Sequence, residues 1–215
     1  MDIQTILQSI TVNTQSSIRI ARPGSTIYLD PLQIAGEPHD ADFILITHNH
    51  GDHYSVADIR KIANPQTVLI VPQRMEAQAQ ELKSAVGSIE AVQPGARVSV
   101  RGLELETVSA YNLLKPFHPR SAGWVGYILI LDNVRLYAAG DTDVTKESKA
   151  VQCDIAMVPI GGTYTMTAKQ AAELVNTIKP TVVIPIHYGS IVGSVTDADT
   201  FASLTDPEIR VELKL

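Results

Sequence analysis

Short apolar runs separated by polar and turn-forming residues dominate the chain, a pattern typical of β-strands. Most of these runs are four to seven residues long and rich in Val, Ile, Leu and Thr. We predict about eleven strands, at residues 17–21, 26–29, 43–47, 67–71, 97–100, 103–109, 125–131, 135–138, 155–159, 182–186 and 209–213.

Other segments repeat apolar residues at three- and four-residue spacing, which predicts helices at 56–62, 73–84, 167–178 and 197–204. Thr167 is a suitable N-cap for the third helix, with Gln170 as its capping-box partner. The turns at 22–24 and 94–95 favour antiparallel hairpins, whereas later strands alternate with helices as in α/β units. The pattern therefore predicts mixed sheets covered by helices.

Composition limits the size of the protein and the partners it can have. The 215 residues, 45% of them hydrophobic, are suited to a single domain spanning 1–215. Acidic residues outnumber basic ones by 23 to 17 without any basic run, so nucleic acid is not an expected partner. We expect a small-molecule substrate instead, and the composition leaves the oligomeric state open.

The same composition predicts a cytoplasmic protein. No apolar run approaches the ~20 residues of a membrane helix, so no membrane span is expected. Residues 1–10 lack the basic and apolar regions of a signal peptide. The only cysteine, Cys153, cannot form an internal disulfide.

Three of the six histidines lie within one short segment, 47–53, directly after an apolar run. In extended chain, His48 and His50 point to the same side. Gly51 permits a sharp turn that brings Asp52 and His53 back toward them. Neutral imidazoles and a carboxylate in this arrangement suit a divalent metal, Zn²⁺ above all.

Two simpler interpretations of this segment are a polar surface loop and a structural zinc site. Crowding so many polar groups favours a bound cation over a plain loop. Structural zinc sites generally use cysteine, and Cys153 is remote in sequence.

The segment THNHGDH at 47–53 resembles the HxHxDH signature of the metallo-β-lactamase superfamily. YAAGDTD at 137–143 is similar to the family's later strand ending in Gly-Asp, and VIPIHYG at 183–189 to its closing strand. AYNLLKPFHPR and PIGGTYTM resemble the compact branch containing ascorbate 6-phosphate lactonase-like and N-acylphosphatidylethanolamine phospholipase D-like hydrolases. The resemblance implies an α/β (α+β) fold, a four-layer αββα sandwich with two metals between the sheet edges.

The resemblance also implies the ligands. One metal is assigned to His48, His50, His118 and a bridging Asp141, and the other to Asp52, His53, Asp141 and His187. The family commonly carries its third histidine at a strand end, where this chain has Tyr111 and Asn112, so His118 must return through a loop. The alternative leaves His118 exposed or facing substrate, with solvent completing the first metal.

The implied activity is that of a metal-dependent hydrolase, with dinuclear Zn²⁺ favoured and Mn²⁺, Fe²⁺ or Ni²⁺ as alternatives. A metal-bound hydroxide would attack a small ester-like substrate: a lactone, phosphodiester, amide or thioester. We interpret Asp52 as orienting the water, and Tyr188 or the amides of Gly161 and Gly162 as facing the oxyanion. Packing is the alternative for Tyr188, and a turn is the alternative for the two glycines. Lys115 and Arg120 are candidate anion-binding groups, with solvated loop cations as the alternative. Asp30 is a candidate acceptor for a ligand imidazole.

Two other functions remain as alternatives. One is a diiron redox protein of the same fold, although such members commonly have glutamate where His50 stands. The other is a non-catalytic metal-binding scaffold, which the complete ligand set disfavours. The acidic balance also argues against an RNA-processing nuclease.

Overall fold

The computed structural model describes residues 2–215, which form thirteen strands and six α-helices. The strands are β1 Ile10–Thr14, β2 Ser17–Arg22, β3 Ser25–Leu29, β4 Phe43–Leu45, β5 Val68–Pro72, β6 Ser88–Val92, β7 Arg97–Val100, β8 Leu103–Ser109, β9 Val125–Leu131, β10 Val134–Ala138, β11 Ile155–Pro159, β12 Val182–Ile186 and β13 Arg210–Val211. The helices are α1 Ile3–Ser9, α2 Val56–Ile62, α3 Glu76–Ala79, α4 Lys146–Lys149, α5 Ala168–Ile178 and α6 Thr196–Leu204.

The strands form two sheets. The first has the order β1-β2-β3-β4-β5-β6, and the second has the order β13-β12-β11-β10-β9-β8-β7. Strands β3 to β6 are parallel to one another, as are β10 to β13, and the remaining pairs are antiparallel. Each sheet is therefore mixed, as the sequence predicted.

Three hydrophobic clusters stack these elements in layers. The central cluster joins the inner faces of both sheets, with Leu45 from the first and Leu129 from the second among its members. The outer face of the second sheet carries α5 and α6, represented by Leu174 and Phe201. The outer face of the first sheet carries α2 and α3, represented by Ile59. The predicted four-layer αββα sandwich is confirmed.

Most of the predicted elements occur within a residue or two of their expected bounds. The capping box on α5 is present, because the Thr167 side chain accepts from the amide of Gln170, whose own side chain accepts from the amide of Thr167. Strands β1 and β6 and helix α4 were missed. In β6 only Val92 is buried, and apolar alternation is absent. Helix α1 was missed for a similar reason, with Ile6 and Leu7 as its only buried residues.

Two expectations about local structure were wrong. The turn at 94–95 does not close a hairpin, because β6 belongs to the first sheet and β7 to the second. The predicted helix at 73–84 is divided into α3 and two flanking 3-10 turns, none of them capped by a side chain. Within residues 2–215, no helix is both long and apolar enough to cross a membrane.

Parallel strands in both sheets end at one edge of the sandwich. Asp30 follows β3, Asp141 follows β10 after a short segment, and His187 follows β12 directly. The turn between β1 and β2 reaches the same edge, where the Gln15 carbonyl accepts from the amide of His187 at 3.0 Å. Because carboxyl ends of parallel strands meet here, polar side chains from distant parts of the chain converge.

Candidate metal centre

The first group of candidate ligands comprises His48, His50 and His118, whose ring nitrogens lie close enough to share one ion. The Nε2 atoms of His48 and His118 are 3.3 Å apart. His50 completes the triangle, with its ring centroid 4.7 Å from each of the other two rings. His48 and His118 are buried, and His50 is half-buried. The loop after β8 therefore brings His118 back to the segment 47–53.

The second group comprises Asp52, His53 and His187. Asp52 Oδ2 lies 3.3 Å from His187 Nε2 and 3.5 Å from His53 Nε2. Both histidines are fully buried, whereas the Asp52 side chain is 22% exposed. The opening of this group toward solvent is therefore at Asp52.

Asp141 lies between the two groups and presents one carboxylate oxygen to each. Its Oδ2 is 3.5 Å from His118 Nε2 and 3.9 Å from His48 Nε2. Its Oδ1 is 3.3 Å from His53 Nε2 and 3.4 Å from His187 Nε2. This is the arrangement of a carboxylate that bridges two cations.

The donor atoms fit a pair of divalent metal ions. Ligand atoms about 2.0–2.1 Å from a tetrahedral ion lie about 3.3–3.4 Å from each other, close to most of these separations. In the described chain, His53 Nε2, His187 Nε2 and Asp141 Oδ1 are buried without a hydrogen-bond partner. Such atoms are costly to bury unless something binds them, and a cation would bind all three.

Surrounding side chains hold the ligand rings in one orientation. His53 Nδ1 donates to Asp30 Oδ2 at 2.7 Å, and the Thr47 hydroxyl donates to the same oxygen at 2.6 Å. Thr47 Oγ1 in turn accepts from His48 Nδ1 at 3.0 Å. His118 Nδ1 donates to Asn112 Oδ1 at 3.0 Å. A neutral ring that donates from Nδ1 in this way has the lone pair of its Nε2 free to bind a cation at the centre.

The predicted contact of Asp30 with a ligand imidazole is thus present, whereas Thr47 and Asn112 were missed. Thr47 is adjacent to the histidine segment, so its polarity at the end of an apolar run was an available signal. Asn112 gives no such signal, because its contact with His118 depends on how the intervening loop folds.

The electrostatic environment differs between the two groups. Burial, together with the neighbouring His53 and His118 rings, lowers the pKa of His48 well below its usual range. Burial also lowers the pKa of His118 to about 4. Both rings are therefore neutral near pH 7, and their lone pairs are available to a metal.

Around His53 the carboxylates outweigh burial. Burial lowers the pKa of His53, but Asp141 and Asp30 raise it well above its usual range. Burial raises the pKa of Asp52, yet the adjacent imidazoles of His187 and His53 hold it well below its usual range. The negative charge that favours a proton on His53 also favours a divalent cation at the same place.

The backbone is strained at two of these positions. Asp30 has φ 44° and His187 has φ 58°, both in the left-handed region. The amide of Asp30 donates to the Leu45 carbonyl at 3.0 Å, and that of His187 to Gln15. Strain held by surrounding structure is characteristic of functional sites, and here it directs the two side chains toward the centre.

The candidate anion-binding cations are already paired. Lys115 Nζ donates to Asp143 Oδ1 and to the Thr165 carbonyl. Arg120 donates to Glu147 Oε1 at 2.8 Å. Both cations hold the loop around His118 in place, and an anion-binding role for them stays a prediction.

The structure gives the residues proposed for the oxyanion little support. The Gly162 amide donates to the Met166 carbonyl at 3.0 Å, so that amide is not available to substrate. Gly161 packs so tightly that an added Cβ would lie 2.3 Å from the His187 carbonyl oxygen. Tyr188 is 5% exposed and belongs to the hydrophobic cluster that covers the second sheet. Its catalytic role stays a prediction without a contact to support it.

Replacing His118 by Ala tests the third histidine of the first group. We expect affinity for one of two divalent ions to fall by roughly 100-fold or more, since losing only the support behind a ligand costs about 10–100-fold. Competitive zinc titration measures this. His39→Ala is the matched control, because that side chain is 52% exposed and lies outside the ligand groups. Unchanged metal binding in His118→Ala would contradict the assignment.

Comparison with known proteins points to one family. A family model described as a β-lactamase superfamily domain matches residues 9–187. A UPF0173 metal-dependent hydrolase of Methanopyrus kandleri is 30% identical over 209 residues, covering 89% of each chain. A crystal structure from Parabacteroides distasonis, named as that of a metal-dependent hydrolase, has 31% identity and a TM-score of 0.82. That similarity covers 96% of this chain and 92% of the other.

More distant structures share the fold alone. CmlA, a diiron β-hydroxylase from Streptomyces venezuelae, has a TM-score of 0.75 at 14% identity. The similarity covers 96% of this chain and 52% of CmlA. The fold by itself therefore accommodates different metal chemistry.

Proposed function

The chain belongs to the metallo-β-lactamase superfamily, and on that basis we propose that it is a metal-dependent hydrolase with two divalent ions, Zn²⁺ in the first instance. The first ion is assigned to His48, His50, His118 and Asp141. The second is assigned to Asp52, His53, Asp141 and His187. The substrate is a small molecule with an ester-like bond.

The single observation that carries this proposal is the position of Asp141. Its Oδ1 faces His53 and His187, while its Oδ2 faces His118 and His48. A carboxylate shared in this way offsets the charge of two cations at once, whereas one cation would leave one oxygen and its facing imidazoles without a partner. Two ions are therefore favoured over one.

The chemistry that such ions supply when bound is a water of lowered pKa and polarisation of the scissile bond. The protein's own part is to prepare the site. Buried His48, His53, His118 and His187 exclude bulk water and stay fixed through their Nδ1 or backbone contacts. Asp52, held ionised beside its two histidine neighbours, would accept a hydrogen bond from water at the open side and orient it.

A diiron redox function is the principal alternative, because CmlA shares the fold. The observation that favours hydrolysis is the first ligand group, in which all three members are imidazoles. Neutral imidazoles suit Zn²⁺ well, whereas harder iron sites gain from additional carboxylate.

Metal removal and replacement test the proposed function. We expect chelated protein to lose hydrolysis of a panel of esters, lactones, thioesters and phosphodiesters, and two equivalents of Zn²⁺ or Mn²⁺ to restore it. Plasma mass spectrometry gives the metal content, and His39→Ala serves as the unaffected control. Hydrolysis that survives complete metal removal would overturn the proposal, as would activity seen only with iron, a reductant and oxygen.

A further inference from the structure

Exposed apolar side chains are concentrated in the loops beside the ligand groups. Three loops are involved, 113–117, 161–166 and 188–194, here called the mouth loops. The loop 113–117 is closed at its base by the amide of Asn112, which donates to the His118 carbonyl at 2.8 Å. The loop 161–166 adjoins Asp141, because the Met166 amide donates to the Thr142 carbonyl at 3.2 Å. The loop 188–194 begins directly after His187.

The mouth loops also contact one another. The Asn112 side-chain amide donates to the Tyr164 carbonyl at 2.8 Å. The rings of Phe117 and Tyr164 meet edge to face with centroids 4.6 Å apart. A Cβ on Gly161 would lie 2.8 Å from Val192 Cγ2, which places the second and third loops against each other. The loops therefore form one continuous surface beside the metal ligands.

Of the eight large hydrophobic side chains that residues 2–215 expose, four lie in these loops: Leu113 at 58%, Leu114 at 97%, Phe117 at 42% and Ile191 at 54%. Exposed apolar groups concentrated around a polar centre are characteristic of binding surfaces.

The mouth loops offer no free charge to balance this apolar surface. Lys115 is their only charged residue, and its ammonium group is bound to Asp143 and Thr165. Asp143 Oδ2 in addition accepts from the Leu113 amide at 2.9 Å, so the ion pair fixes the loop. A phosphate or carboxylate on the substrate would therefore find no unpaired cation in these loops.

We propose that the substrate is an electrically neutral acyl compound with an apolar chain or ring that lies against Leu113, Leu114, Phe117 and Ile191. This rests on the proposed hydrolase function and selects among its substrate classes, favouring carboxylic esters and amides over phosphodiesters. Water adds across the acyl carbon–heteroatom bond: hydroxyl joins the acyl carbon, hydrogen joins the leaving oxygen or nitrogen, and the resulting carboxylic acid releases a proton at neutral pH.

The activity test compares acyl chain lengths in the metal-loaded protein. Each buried methylene contributes up to about a fourfold gain, so the four methylenes from 4-nitrophenyl butanoate to octanoate should raise kcat/KM by about 15- to 250-fold. Leu114→Ser and Phe117→Ser should reduce that ratio at least threefold. Leu204→Ser is the control, because it replaces a 45% exposed leucine on α6, outside the mouth loops, and it should leave the ratio unchanged.

A binding measurement provides a readout that does not depend on turnover. Trp124 is the only tryptophan of the chain, and its ring centroid is 6.2 Å from that of His48. Its fluorescence should respond to N-methyloctanamide at concentrations at least tenfold lower than to N-methylbutanamide. Leu114→Ser should weaken the octanamide response, and because this side chain is almost wholly exposed, the variant should fold normally.

Octyl phosphate tests the opposite case, an anionic ligand with the same apolar chain. The cation it would use is Arg74, which is exposed and follows β5 at the same edge of the first sheet. The proposal would be overturned if octyl phosphate bound more tightly than N-methyloctanamide and lost this advantage in Arg74→Ala. A kcat/KM that does not change with acyl chain length would also overturn it. If phosphodiesters are hydrolysed in a metal-dependent way while esters and amides are not, this inference fails and the hydrolase function stands. If no substrate is hydrolysed by the metal-loaded protein, the hydrolase function itself fails.

Discussion

Asp141→Asn is expected to remove tight binding of both metal ions and to lower kcat/KM for any substrate by roughly 10³-fold or more, beyond the 10–100-fold cost of losing a group behind a ligand. The reason is that its two oxygens face separate ligand groups, so one substitution weakens both. Asn has nearly the same shape but carries no charge and presents only one oxygen. Zinc titration and steady-state kinetics measure the two effects.

Thermal unfolding gives a third measure of Asp141→Asn. In the native protein, an ion at 100 times its dissociation constant adds about 2.7 kcal/mol per site. For a chain of this length that corresponds to a rise in Tm of about 5–10 °C for each site. The variant should lose this zinc-dependent rise. Asp199→Asn, on α6 and outside the ligand groups, should retain it. Two tightly bound ions in Asp141→Asn would show that another group bridges the site.

Gly161→Ala is expected to destabilise the protein and displace His187 together. The new methyl group would meet the His187 carbonyl oxygen at 2.3 Å and Val192 Cγ2 at 2.8 Å. The backbone cannot move aside as the end of a side chain can. We therefore expect the free energy of unfolding to fall by about 3 kcal/mol, at the upper end of the range for overpacking. This corresponds to a fall in Tm of about 6–12 °C. Since His187 must move, affinity for the second ion should fall by at least tenfold, as loss of ligand support does.

The matched control for this effect is Gly87→Ala. Its added Cβ would also strike a backbone carbonyl, that of Pro65 at 2.6 Å, but in the loops before β5 and β6, at the end of those strands away from the ligands. We expect a comparable loss of Tm with zinc affinity unchanged. Equal loss of zinc affinity in both variants would mean that Gly161 acts through general stability and not through His187.

The ligands could be proposed from the sequence because of their local context. Short-range geometry alone placed His48, His50, Asp52 and His53 near one point, since alternation along a strand and a turn at Gly51 require only neighbouring residues. Asp141 and His187 needed the resemblance of their flanking strands to known motifs. The apolar runs predicted mixed sheets covered by helices, whereas the four-layer αββα sandwich with its site at the sheet edges was implied by the resemblance.

Other features depend on long-range contacts that sequence patterns do not encode. Lys115 looks like a free cation in sequence, yet the loop fold brings it to Asp143. Gly161 looks like a turn residue, whereas its actual role is to allow β11 and β12 to end close together. Asn112 contacts His118 only because the loop between them folds back and brings the two side chains together. In each case the partner lies across a loop or in another strand, where local propensity carries no information.

The most direct test of the central claim is anomalous X-ray diffraction from zinc-loaded crystals, measured on both sides of the zinc absorption edge. Two zinc peaks are expected. One should lie among His48, His50 and His118 and contact Asp141 Oδ2. The other should lie among Asp52, His53 and His187 and contact Asp141 Oδ1. A single peak, or two peaks of which one lies away from Asp141, would contradict a dinuclear centre bridged by this carboxylate.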